Sequence, residues 1–280
     1  MDQWTTFRVG GPADMLAEPE TEAQLCGLLK AAGETDTPVL LVGNGSNLLV
    51  RDGGIRGLVV RLGRRFARIE RNETGLYAQA GALLSALAKA ALDEGLAGLE
   101  FAQGIPGTVG GGVYMNAGAY GGELGRLIEF VRIWDGSAVE RIDGADMDFG
   151  YRHSRAMERG WTVLGAQFHL IAGDREVLAA AMRDYAARRR EKQPLEYPSA
   201  GSFFKRPAGH FAGALIEQAG LKGLTVGGAQ VSRKHAGFLI NRGGATAEDV
   251  LTLMGRVQAA VKDRFGVDLE PEVRIVGEDP

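Results

Sequence analysis

The sequence predicts an α+β protein built from three regions. Apolar residues recur at helical spacing in some segments and at strand spacing in others, and the mixture changes along the chain. The 280 residues can bury a large core and divide into more than one domain. Glycines, 42 in all, gather into dense runs between elements. The first region spans residues 1–63. There Thr21-Glu22-Ala23-Gln24 reads as a capping box, with Leu25, Leu28 and Leu29 continuing the helix and Gly33 ending it. Pro38–Val42 reads as a buried strand entering Gly43-Asn44-Gly45-Ser46-Asn47, and Leu48–Val50 and Leu58–Val60 as further strands. The second region, 64–195, carries a helix near Leu83–Leu92 that stops at Gly95, and strands at Phe130–Trp134 and Trp161–Leu164. It closes with a long helix from Asp174 to Arg190, before Pro194. The third region, 196–268, predicts a helix near Ala212–Ala219, a strand at Gly237–Ile240 and a helix from Thr246 to Phe265. Val250, Leu253, Met254, Val257 and Val261 form the buried face of that last helix. In residues 269–280, Leu269, Pro271, Val273 and Ile275 alternate with Glu270, Glu272 and Arg274, a strand that completes the first region.

Composition narrows the function. Apolar residues make up 45% and charged residues 24%, as in ordinary globular chains. A net charge of −3 gives no electrostatic footprint for nucleic acid or an acidic membrane. No long apolar span occurs, and Met1-Asp2-Gln3-Trp4 lacks a signal-peptide pattern, so a cytoplasmic location is expected. Cys26 is the sole cysteine and is expected in the core. His153, His169, His210 and His235 show no metal-ligand spacing, so no metal is expected, and no obligatory protein partner is visible. The run Arg188-Arg189-Arg190-Glu191-Lys192 reads as a solvated helix end.

Two glycine-rich stretches and one serine point to chemistry. Gly43–Asn47 follows a strand, where a backbone can approach phosphate oxygens. It lacks a Walker lysine, and Leu48 and Arg61 stand where a dinucleotide fingerprint wants glycine and an acid. Taken alone, such a loop is more often a tight turn than a ligand site. Gly104-Ile105-Pro106-Gly107-Thr108-Val109-Gly110-Gly111-Gly112 continues through Asn116, Ala117 and Gly118. That density is entropically costly, and an extended dinucleotide threaded along it accounts for it better than turns alone. Tyr197–Pro207 sets Ser202 after a glycine, between small and aromatic residues, with Lys205 and Arg206 behind it. Its bland alternative is a turn serine that caps backbone.

These stretches, together with Gly150-Tyr151-Arg152-His153-Ser154 and Leu269-Glu270-Pro271-Glu272-Val273-Arg274, resemble the UDP-N-acetylenolpyruvoylglucosamine reductase family from about Thr6 to Gly277. The short loop around Tyr197 resembles the branch with the short tyrosine loop. The resemblance implies a three-domain flavoprotein with a vanillyl-alcohol-oxidase-like FAD-binding fold and a smaller substrate domain. It implies FAD, with NADPH as hydride donor, and UDP-N-acetylglucosamine enolpyruvate as substrate. The cofactor is expected to be non-covalent, because neither glycine-rich stretch contains a His or Cys. Cofactor residues carried over are Gly43, Asn44, Gly45, Ser46, Asn47, Ile105, Pro106, Gly107, Thr108, Gly110, Gly111, Asn116 and Ala117. The implied catalytic residues are Ser202, as proton donor to the substrate carbon, with Arg152 and Glu272 stabilising the enolate. Tyr151, Lys205, Arg206, Gln230, His235 and Asn241 are carried over as substrate contacts. Two rivals remain open on the sequence: another FAD oxidoreductase of this fold, and a nucleotide-binding module without catalysis.

Overall fold

A computed structural model describes residues 1–280. Its α-helices are α1 (Glu22–Glu34), α2 (Leu84–Asp93), α3 (Val109–Tyr114), α4 (Arg155–Arg159), α5 (Arg175–Lys192), α6 (Ala212–Gln218) and α7 (Ala247–Phe265). The chain divides into two compact units. A terminal unit holds Met1–Asp14, Gly45–Arg56 and Arg189–Pro280, and a central unit holds Met15–Asn44 and Gly57–Arg188. This division cuts through the expected first region, because its strands pair with different partners. Leu48–Val50 runs parallel to Arg274–Val276, whereas Val39–Val42 runs parallel to Leu58–Arg61.

The central unit is built on a five-stranded antiparallel sheet. Its strand order is Val139–Asp143, Ile128–Trp134, Thr162–His169, Gly75–Gln79, Ile69–Arg71. Phe66, Leu76, Leu84, Leu87 and Phe168 lie in its core with essentially no exposure. On α2 the buried residues Leu84, Leu87, Ala88 and Ala91 fall at helical spacing, so one stripe faces inward. The start of α1 departs from a reciprocal capping box. Thr21 Oγ1 accepts from Gln24 N–H at 3.2 Å, but the Gln24 side chain accepts from Glu20 N–H at 2.8 Å. The helix also runs past Gly33. Thr35 stops it, donating its hydroxyl to Ala31 O at 2.9 Å. Val39–Val42 buries only Val42, because it is the edge strand of its sheet. Cys26 is half-buried rather than core, since Leu25 and Ala32 define the inward stripe of α1. Partial burial, followed by the Glu22 charge, pushes its thiol pKa up.

The terminal unit has its own core, containing Phe7, Leu49, Phe203, Ile216, Val250 and Leu253. Three short antiparallel strands, Thr225–Val226, Ala229–Val231 and Leu239–Asn241, pair in that order. The N-terminus of α7 is capped twice. Thr246 and Asp249 form a reciprocal box, and the Asp52 carboxylate accepts from Ala247 N–H at 2.8 Å and Glu248 N–H at 3.0 Å. Val250, Leu253, Val257 and Val261 are buried, each stabilising the fold by roughly 1.5–3 kcal/mol. Met254 sits half-buried at the edge of that stripe. The basic run at the end of α5 is exposed except at Arg189, which is buried. No helix is long and apolar enough to cross a membrane.

Candidate active site

In the central unit the two glycine-bearing stretches meet. Asn44 Nδ2 donates to Pro106 O at 3.2 Å, and a Cβ on Gly43 would come within 2.2 Å of Thr108 Oγ1. The chain then leaves for the terminal unit, so Gly45, Ser46 and Asn47 are held there. The second stretch begins as a turn through Ile105, Pro106 and Gly107, with Gly107 N–H donating to Ile105 O at 2.9 Å. It does not continue as a loop, because residues from Val109 onward form α3. Three glycines within so short a helix cost about 1 kcal/mol each relative to alanine. Packing accounts for two of them. A Cβ at Gly110 would lie 2.8 Å from Ala80 Cβ, and one at Gly112 would lie 2.8 Å from Leu124 Cδ1. The amides of Val109 and Gly110 donate to the carbonyls of Ala82 and Ala80, so neither is a phosphate donor as placed. Gly111 differs: it is exposed, and nothing stands nearer to its Cβ position than Thr108 Oγ1 at 3.8 Å. Within this stretch the open backbone is at Gly111, where a dinucleotide can approach closely, and that position fits FAD.

Asn116 and Ala117 close α3 instead of lining a loop. Asn116 takes φ +43°, its N–H donates to Val113 O, and Ala117 N–H donates to Gly112 O, a Schellman ending. The buried Asn116 side chain then accepts from Gly125 N–H at 2.9 Å and donates to Gly150 O at 2.9 Å. That second bond anchors the turn bearing Tyr151 and Arg152. Gly150 and His153 bond reciprocally through their backbones, leaving Tyr151 and Arg152 at the tip. Arg152 takes φ +55°, a conformation usually left to Gly or Asn. Its guanidinium carbon lies 5.1 Å from the centre of the Tyr151 ring, and that ring is exposed. Buried Ser154 secures the other side of the turn, donating to Tyr114 O at 2.8 Å and capping α4. Sequence reasoning missed Asn116 as an anchor and, while quoting Ser154 within its motif, gave it no role. The available signal for Ser154 was a Ser-x-x-x-Glu start.

In the terminal unit the structure brings Ser202 and Glu272 into neighbouring segments. Gly201, at φ +78°, turns the chain so that Ser202 is exposed while Ala200, Phe203 and Phe204 are buried. Phe203 N–H donates to Gly237 O at 2.8 Å, and Phe203 O accepts from Glu272 N–H at 2.8 Å. On the far side, Asn47 Nδ2 donates to Glu272 O at 3.1 Å. Glu272 is half-buried. Lys205 bonds Glu270 twice, through its backbone N–H at 2.8 Å and through Nζ to Oε2 at 3.0 Å. That pairing, largely exposed, competes with any help Lys205 gives to Ser202.

The other expected substrate contacts divide. Arg206 lies over the Phe211 ring at 3.9 Å. Gln230 is buried, and its amide donates to Thr225 Oγ1 at 2.9 Å within its own hairpin. Asn241 is buried and fully committed to backbone. It donates to Phe7 O and Arg8 O at 3.3 and 3.1 Å, and accepts from Gly243 and Ala245 N–H at 2.8 and 3.2 Å. Asn241 therefore ties the N-terminal segment to its strand as placed. His235 accepts from Gly237 N–H at Nδ1, 3.1 Å, and packs edge-on against Phe238. Burial depresses its pKa, with the Lys222 charge adding to that effect. Arg152 and Tyr151 stand in the central unit, and Ser202, Glu272, Lys205, Arg206, Gln230, His235 and Asn241 in the terminal unit.

Known proteins match this arrangement over almost the whole chain. Residues 13–138 match the FAD binding domain family, and residues 193–276 match the family described as UDP-N-acetylenolpyruvoylglucosamine reductase, C-terminal domain. The chain is 51% identical over 281 residues to the UDP-N-acetylenolpyruvoylglucosamine reductase of Clostridioides difficile (strain 630), covering 100% of this chain and 92% of that protein. It is 50% identical over 281 residues to the one of Pediococcus pentosaceus, covering 100% and 93%. The crystal structure of UDP-N-acetylenolpyruvylglucosamine reductase (MurB) from Thermus caldophilus superposes with a TM-score of 0.83 at 38% identity, covering 98% of this chain and 96% of that one. The α+β flavoprotein fold of the vanillyl-alcohol-oxidase type, implied by the resemblance, is in accord with the FAD-binding match and with this superposition.

Proposed function

The chain belongs to the UDP-N-acetylenolpyruvoylglucosamine reductase family, and on that premise we propose that Ser202, Arg152 and Glu272 carry the reduction of the enolpyruvyl ether. The activity is the NADPH-dependent conversion of UDP-N-acetylglucosamine enolpyruvate to UDP-N-acetylmuramate, in peptidoglycan precursor synthesis. FAD, when bound, supplies the hydride carrier between NADPH and the terminal methylene of the substrate. Gly43, Asn44, Thr108 and Gly111 are the residues we assign to its close approach, and the attachment is non-covalent. We place the reaction in the cytoplasm, where an NADPH-dependent step has its donor.

Hydride addition leaves negative charge on the adjacent substrate carbon and on its carboxylate. Arg152 meets that carboxylate with a planar, permanently charged fork. Tyr151 cushions the guanidinium and limits its rotamers. Glu272 is the residue we assign to the developing enolate oxygen, with which its carboxyl shares a hydrogen bond. Ser202 Oγ–H gives its proton to the carbon, completing the saturated ether. The observation that carries this assignment is the 2.8 Å bond from Glu272 N–H to Phe203 O, which sets the glutamate beside the serine segment. Both act on one reacting group only if they are neighbours.

The test is spectroscopic. The purified protein should be yellow, bleach on anaerobic addition of NADPH, and recover its colour on addition of the enolpyruvyl nucleotide-sugar. Acid precipitation should release all the colour to the supernatant. Recolouring by oxygen alone, with none by the enolpyruvyl substrate, would identify a different flavin oxidoreductase.

A further inference from the structure

We infer that Asn47 is a positioning residue for the reduction: its side-chain amide holds the Glu272 carbonyl and so fixes the glutamate beside Ser202. By sequence Asn47 belongs to a loop expected to touch the cofactor. In the structure its side chain is spent elsewhere. Nδ2 donates to Glu272 O at 3.1 Å, and Asn47 O accepts from Arg274 N–H at 3.0 Å. The parallel pairing of Arg274–Val276 with Leu48–Val50 begins just after these residues. The Asn47 amide thus extends that ladder by one donor, to a carbonyl where no paired strand residue remains.

The consequence falls on Glu272. Its N–H is taken by Phe203 O at 2.8 Å, and Val273 N–H shares the same acceptor at 3.5 Å. Its C=O is taken by Asn47. Both peptide groups of Glu272 are therefore fixed, one by the serine segment and one by the glycine-rich loop, and the direction of its Cα–Cβ bond is fixed with them. Only a neutral donor of this length serves. Aspartate would turn an oxygen toward the Glu272 carbonyl, and alanine would leave that carbonyl without its partner. A misplacement of about 1 Å at a reacting group can cost up to about 10²-fold in rate.

The inference rests on the proposed role of Glu272, so the experiment carries Asn47→Asp, Asn47→Ala and Glu272→Gln together. Stopped-flow absorbance separates flavin reduction by NADPH from reoxidation by the enolpyruvyl substrate. Both Asn47 variants should slow reoxidation about tenfold and leave reduction within about twofold, with normal flavin content. Adding either to Glu272→Gln should slow reoxidation no further than Glu272→Gln alone, since the asparagine acts through the glutamate. Hydrogen exchange of the apoprotein, which needs no cofactor, should show faster exchange over residues 270–274 in Asn47→Asp. Multiplicative losses in the double variants would overturn the inference, as would lost flavin or equal slowing of both half-reactions. If one variant fails to fold, the other decides by the same criteria, and failure of both assigns Asn47 to the fold instead. An unaffected Glu272→Gln would remove the reading beneath it, an outcome distinct from unaffected Asn47 variants beside an impaired Glu272→Gln.

Discussion

The Arg152 turn and the Ser202–Glu272 pair solve the same problem in opposite ways. Arg152 is presented locally. Two backbone bonds between Gly150 and His153 make the turn, and the strain of a positive φ is concentrated in Arg152 itself, the residue proposed to meet the substrate carboxylate. Ser202 and Glu272 are presented non-locally. Segments far apart in sequence are joined through Phe203 O, and the awkward φ is given to Gly201, which tolerates it. In the first case strain and function coincide, so stability and activity oppose each other at one residue. In the second they are separated, so the functional side chains can change without touching what holds them.

The largest effects break that comparison directly. Arg152→Gly removes the guanidinium and also the left-handed strain. Turnover should fall by about 10²-fold or more, while stability holds or rises by up to ~1 kcal/mol. Arg152→Lys should lose about as much rate, having the charge without the fork. Thermal melts beside steady-state rates give the answer, and a melting temperature that drops in Arg152→Gly would show that the turn needs its arginine. Ser202→Ala is the counterpart in the other unit. It should slow reoxidation by the enolpyruvyl substrate about 10²-fold, with NADPH bleaching near the parental rate and no change in stability. Equal slowing of the two half-reactions would count against a proton donor.

The anchors sharpen the contrast next. Asn116→Ala should destabilise the protein by roughly 2–3 kcal/mol in urea titrations, because it leaves a partly buried carbonyl and a partly buried amide without that partner and loses the helix ending. Asn116→Gly keeps the positive φ and should cost less. A loss in Asn116→Gly as large as in Asn116→Ala would mean that the side-chain bonds, not the helix ending, dominate. The smallest effect concerns pH. The folded pKa of His235 lies below its ordinary 6.5, so the unfolded chain binds that proton more readily. Its contribution to stability is complete above about pH 6.5 and fades as pH falls through the depressed folded value. His235→Gln should flatten that part of the stability–pH curve, and an unchanged slope would show that another group sets it.

Legibility in the sequence followed the range of the interactions. Helices α2, α5, α6 and α7 were readable to within a residue or two, because their signals are local: an apolar stripe, a cap, a terminating glycine or proline. Helix α3 was not. Its three glycines argue against a helix by propensity, and only the close packing of Ala80 against Gly110 and of Leu84 and Leu124 against Gly112 makes small residues the right choice at those two positions. The half-exposed strand at Val39–Val42 and the half-buried Cys26 were misjudged for a related reason, since which side faces the core depends on neighbours the segment does not contain.

The sequence by itself determined the residue types of the proposed chemistry: a serine after glycine, an arginine after tyrosine, a glutamate just before the closing strand, and glycines where backbone must come close. Tertiary structure alone decided what each one touches. It turned Asn47 from the cofactor loop toward Glu272 O, spent Asn241 on four backbone groups, and gave Lys205 to Glu270. A polar side chain advertises its donors and acceptors in the sequence. For Asn47 and for the donors of Asn241 the partners are backbone carbonyls far along the chain, and a backbone carbonyl has no letter of its own to be read.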